Sequence, residues 1–120
     1  MEKVSSNNIP SIIESVGNGS YLYHFNIEEV TRQDSMDGLS HTGYEYYEVV
    51  VWAPLSANAI TQAVMNEMWS KDIEQKYIND YNAAVLGVLD SSYIDRYKEF
   101  ISQRKSIKEQ IDIDYNNYIK

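Results

Sequence analysis

Cysteine is absent from the 120 residues, which excludes disulfides, thiolate nucleophiles and cysteine-ligated zinc and leaves packing to hold the fold. No stretch approaches the ~18 consecutive apolar residues that a membrane span requires. The first ten residues, MEKVSSNNIP, also lack the apolar segment of a signal peptide. A soluble chain is therefore expected, with no membrane partner and no signal-peptide export. Basic residues are few: 10 Lys and Arg stand against 18 Asp and Glu, for a net charge of -8. Such a surface repels a phosphate backbone, so nucleic acid is not an expected partner. The 5 glycines fall at turns or helix ends and form no phosphate-cradling loop.

What the chain has instead is tyrosine, 11 of them beside 2 Phe. A large apolar ring with a hydroxyl that needs a partner suits half-buried sheets and interfaces better than a dry core. The length fits one domain that buries about two-thirds of its extended surface.

Residues 1–10 are polar and end in Pro10, which reads as a flexible N-terminal arm. A single domain is expected over residues 11–120. Ser11 to Val16 forms a short strand, joined through Gly17-Asn18-Gly19-Ser20 to the next run, since Asn-Gly between β-formers is a strong hairpin signal. Asn18-Gly19-Ser20 also fits a glycosylation acceptor, but without a secretion signal it reads as a turn. In Tyr21 to Val30, Tyr21, Tyr23, Phe25 and Ile27 alternate with His24, Asn26 and Glu28, the pattern of a strand with one packed side. Thr31 to Gly43 is polar, contains Asp37-Gly38, and is expected to be a long hairpin loop.

The partner strand, Tyr44 to Ala53, has apolar groups on both faces. Tyr44, Tyr46, Val50 and Trp52 share one, and Tyr47, Val49, Val51 and Ala53 share the other. Alternation alone leaves open which is buried. A strand covered on both sides would turn one face to its own helices and the other to a partner.

Three helices follow. Ser56 caps the first, whose stripe is Ile60, Ala63, Val64 and Met68. Ser70 caps the second, where Ile73, Tyr77, Tyr81 and Val85 recur until Gly87 offers a left-handed end. Ser92 with Asp95 resembles a capping box and opens the third. Along it, Tyr97, Phe100, Arg104, Ile107, Ile111, Tyr115 and Tyr118 keep one seam. At roughly 25 residues and ~38 Å this helix exceeds a small domain's width, so its C-terminal end is expected to project or pack on another chain unless it frays near Asp112 to Asn117. The fold class is α+β: a small antiparallel β-meander of two to three strands, then three α-helices, the last one long.

Chemistry-bearing patterns are sparse. His24 lies on the polar side of its strand and His41 in a loop, with no His-x-x-x-His spacing, so ordinary surface roles are expected and no metal or cofactor site. Asp34 to Gly38 lacks the alternating oxygen ligands and terminal Glu of a calcium loop and reads as a turn. Asp112 and Asp114, two apart on a helix, point in different directions and read as solvated charges. No nucleophile elbow is present, and no residue is nominated as catalytic. The mixed charges on the third helix, Lys98, Arg104, Lys105 and Lys108 among Glu99 and Glu109, fit a salt-bridged solvent face.

The order of several segments carries a resemblance. Gly17-Asn18-Gly19-Ser20-Tyr21 leads into a strand and Glu48-Val49-Val50-Val51-Trp52 ends the next. They are followed by Glu74 to Ala84 (EQKYINDYNAA) and Tyr97 to Arg104 (YKEFISQR). Over about residues 15–113 the chain resembles small phage- and prophage-encoded proteins of gut bacteria found among virion or tail genes. The resemblance implies a phage structural, tail-associated or assembly role without enzymatic activity, in the virion or the bacterial host cytoplasm, with phage structural proteins or a second copy as partner. The candidate interface is Tyr44, Tyr46, Val50, Trp52, Ile111, Tyr115 and Tyr118. The alternative is a small acidic regulator that binds a host protein, which an acidic surface and a polar loop would also suit.

Overall fold

The computed structural model describes residues 2–33 and 38–120. The turn read at Asp34 to Gly38 lies, apart from Gly38, outside the described residues. Four strands precede three helices: β1 (Val4–Ser6), β2 (Ile13–Ser15), β3 (Ser20–Gln33), β4 (Ser40–Trp52), α1 (Ala57–Met68), α2 (Lys71–Val85) and α3 (Ser92–Tyr118). The class is α+β, with one strand more than the sequence suggests. Contacts fall into two compact units within the stretch read as one domain, residues 1–59 and 60–120. Each is described by itself.

In the first unit the strands form one antiparallel sheet in the order β1-β4-β3-β2. The Asn-Gly turn behaves as expected: Gly17 and Gly19 take φ of 88° and 85°, where L side chains are strained. The Val16 amide donates to the Ser20 carbonyl at 3.1 Å to close the β2–β3 hairpin. β3 and β4 are longer than the sequence indicates, because the ladder continues through Thr31↔Thr42, Arg32↔His41 and Gln33↔Ser40. The polar stretch expected to be loop is thus partly strand, with cross-strand pairing overriding weak β propensity. A Cβ at Gly43 would meet the Arg32 guanidinium carbon at 2.9 Å, the far end of a flexible side chain that can swing aside.

The alternation on β3 breaks at a bulge. Register moves from Phe25↔Tyr47 to Glu28↔Glu45, so Asn26 and Ile27 together oppose Tyr46. Asn26 takes φ of 52°, a left-handed conformation that Asn tolerates better than other non-glycine residues. The extra residue removes Ile27 from the row begun by Tyr21, Tyr23 and Phe25.

The arm expected over residues 1–10 contains β1, which pairs Val4↔Tyr46, Ser5↔Glu45 and Ser6↔Tyr44. A three-residue strand is too short to show a period, and its order comes from the β4 edge to which it bonds. Because β1 and β2 occupy opposite edges, residues 7–12 must cross both central strands. Three strand spacings are about 14 Å, and the seven Cα steps from Ser6 to Ile13 reach at most about 25 Å. The connection therefore has length enough to cross the sheet as a strap.

The second unit holds the helical hairpin. The Ile73 amide donates to Ser70 Oγ at 3.2 Å, capping α2 as the sequence indicates. Its end is a Schellman arrangement, with Gly87 at φ of 81° and the Gly87 and Val88 amides donating to the Ala84 and Ala83 carbonyls. Ser56 caps α1 through the Ala59 amide at 3.0 Å; along α1, Ile60, Val64 and Met65 are buried.

The packed stripe of α2 differs from the expected one. Ile73 and Val85 are exposed, and Ala84 is buried. A strict four-residue spacing drifts about 40° per step around a 3.6-residue helix, so Ile73, Tyr77, Tyr81 and Val85 cannot all share one face. The face in use is Glu74, Tyr77, Tyr81 and Ala84.

Against it α3 sets Tyr97, Phe100 and Arg104. Phe100 stacks on Tyr77 with centroids 4.5 Å apart and meets Trp69 edge-on at 5.2 Å, while Tyr81 stacks on Tyr97 at 4.6 Å. Such ring pairs contribute about 0.5–1.5 kcal/mol each beyond area burial. Arg104, the charged member of the expected seam, bonds Glu74 Oε1 at 3.0 Å and lies over Phe100.

α3 starts one residue earlier in its capping than expected. Ser91 is its N-cap, with no side-chain cap bond, so the Ser92/Asp95 capping box does not form. Its 27 residues span about 40 Å and run unbroken past Ile111 to Tyr118. Ile111 and Asp114 are buried, so that stretch is not a free projection. Asp114 is no solvated charge; its Oδ1 accepts from Gln110 Nε2 at 2.9 Å.

Candidate functional site

The two faces of the sheet can now be told apart. Register places Tyr21, Tyr23, Phe25, Tyr47, Val49 and Val51 on one side. Tyr23, Phe25, Val49 and Val51 are buried there; the Tyr23 and Phe25 rings stack at 5.6 Å. This side is the core face. The opposite side carries Leu22 across from Val50, Ser20 across from Trp52, and His24 across from Glu48. Val50 is 49% exposed and Trp52 64%. Ile12 and Val16, also exposed, border this row.

The open face is covered at one end. His24, expected at the surface, is 3% exposed because the strap passes over it. Its Nδ1 meets the Ser11 carbonyl at 2.5 Å, and its Nε2 meets Glu48 Oε2 at 2.8 Å. The Tyr46 ring stands edge-on to the imidazole with centroids 5.0 Å apart. Both ring nitrogens therefore face oxygen acceptors, a backbone carbonyl on one side and a carboxylate on the other. His24 thus pins residues 7–12 to the sheet. With both nitrogens engaged, it has no free one to turn toward a substrate.

The candidate interface residues divide accordingly. Val50 and Trp52 are exposed, as an interface requires. Tyr46 is not available: it is 7% exposed, held between β1 and His24. Tyr44 is half-buried beside Ser6. In the second unit Ile111 is 1% exposed and offers no contact surface, since it occupies the inward position of the α3 seam. Tyr115 is half-buried, and Tyr118 is exposed in the last turn. Sequence reading missed Leu22 as the cross-strand neighbour of Val50; its alternation with Tyr21 and Tyr23 on β3 was the signal that could have placed it on the outer face.

A small cleft lies between α2 and α3, and Arg32, His41 and Thr42 border an open depression at the far end of the β3–β4 ladder. Among the described residues no cluster of three or more His, Asp or Glu side chains is placed to hold a metal ion, and no helix is long and apolar enough to cross a membrane. Compared with protein-family models, curated proteins and solved structures, the chain matches none.

Proposed function

We propose that this chain is a non-enzymatic phage or prophage structural, tail-associated or assembly protein, located in the virion or the host cytoplasm, that works by binding other protein chains. The single observation that carries the binding role is the uneven covering of the outer sheet face. Its His24/Tyr46 end is closed by the chain's own strap, whereas Val50 and Trp52 beside Leu22 stay in water. Tryptophan is a frequent interface anchor, and a row of apolar side chains on a rigid sheet loses little entropy on docking. The phage setting rests on the resemblance of the quoted segments alone.

Mass spectrometry of purified virions, paired with light scattering of the isolated chain over a range of concentrations, tests this reading. It expects the chain either among virion proteins or in a concentration-dependent oligomer, each weakened by Trp52→Ser with Val50→Thr. A strict monomer absent from virions and from assembly complexes, captured instead on a cellular protein, would overturn it in favour of a host-directed regulator.

A further inference from the structure

The α2–α3 hairpin contains a second feature that the sheet surface does not explain. Ile73, Lys76, Tyr77, Asp80, Tyr93 and Arg96 line a cleft of about 180 Å³. A cavity of ~150 Å³ suffices to hold benzene, so the space fits one six-membered ring. Tyr77, its ring braced by Phe100, and Tyr93 supply the aromatic part of the lining.

The charges at the cleft are unbalanced. Lys76 Nζ is paired with Asp80 Oδ2 at 3.0 Å. The Arg96 guanidinium instead lies over the Tyr93 ring, 4.7 Å from its centroid, and among the described residues no carboxylate bonds it. Among those residues, too, neither the Tyr77 nor the Tyr93 hydroxyl is hydrogen-bonded to protein. A ring-sized apolar space with one guanidinium that no carboxylate pairs and two open hydroxyls is complementary to a single negative charge attached to a ring. The planar guanidinium fork matches a carboxylate.

We infer that this cleft binds an aromatic monocarboxylate, with the ring against Tyr77 and Tyr93 and the carboxylate on Arg96. A free aromatic acid and the C-terminus of a peptide ending in an aromatic residue share this chemistry.

The test is titration of the full chain, followed by amide chemical shifts, with phenylacetate, with N-acetyl-Gly-Phe, and with phenylacetamide as the uncharged control. Saturable shifts confined to Ile73–Asp80 and Tyr93–Arg96 are expected for at least one acid, with the amide at least tenfold weaker. Tighter binding of phenylacetate identifies the free acid as the source, and tighter binding of the peptide identifies a chain terminus. Arg96→Gln should weaken the acid at least tenfold and leave the amide unchanged, with an unaltered spectrum elsewhere showing that the helices still form. Tyr93→Leu, which keeps the charge but removes an aromatic ring from the lining, should weaken both. Equal binding of acid and amide, no loss with Arg96→Gln, or no saturable shifts at millimolar acid would overturn the inference.

Discussion

Residues 1–59 and residues 60–120 each bring a polar ring or guanidinium into a mostly apolar setting, and they do so differently. In the helical hairpin Arg104 meets Glu74 across two helices that follow each other in sequence, with both side chains partly in water and the stacked rings of Tyr77, Phe100, Tyr81 and Tyr97 beside them. In the sheet His24 is enclosed, and its partners come from a strap of the N-terminal segment and from the neighbouring strand. The helical contact sits on a seam that hydrophobic stacking already secures. The sheet contact holds down a segment whose own isoleucines, Ile9 and Ile12, stay exposed. Polar bonding is thus auxiliary in one unit and structural in the other.

Substitutions can break this contrast, beginning with the largest effect. Phe100→Ala removes the ring on which Tyr77 and Trp69 converge and should cost about 3–5 kcal/mol, read as a lowered midpoint of chemical unfolding. His24→Ala leaves the Ser11 carbonyl without its donor and Glu48 without its partner, and should cost about 2–3 kcal/mol. Hydrogen exchange should then quicken first in residues 4–12, whereas Arg104→Ala should show no such segment released. Gly87→Ala forces a side chain into the left-handed end of α2 and should cost about 1 kcal/mol. Ser70→Ala removes the cap at the other end for about 0.5–1 kcal/mol, visible as faster exchange of the first α2 turn. Trp52→Ser and Val50→Thr, on the uncovered sheet face, should shift stability by no more than about 0.5 kcal/mol, so that any loss of partner binding reflects the surface itself.

The same contrast explains how far the sequence could be read. Helix caps at Ser56, Ser70 and Gly87 and the Asn18-Gly19 turn are local devices, made by residues within a few positions of each other, and they were legible. The α3 seam was legible through Phe100 and Ile111 for the same reason. What escaped depended on distant segments. Val4–Ser6 bonds to a strand about forty residues on, and nothing in its three residues announces that. The strap over His24 follows from the strand order, which leaves no periodic trace. Hence His24 read as a surface residue and Tyr46 as a candidate contact, although each covers the other. Val50 and Trp52, nominated as interface residues, are exposed, but only the burial of Val49 and Val51 resolves a strand that is apolar on both sides.

The central claim is that the uncovered end of the sheet, at Val50 and Trp52, is where another protein chain docks. The most direct measurement replaces Trp52 with a photo-crosslinking residue in producing cells and identifies the adducts by mass spectrometry, with the same residue at exposed Lys98 as control. The account predicts a discrete adduct from position 52, to a virion or assembly protein or to a second copy, that position 98 does not give. Identical background labelling from both positions would contradict it.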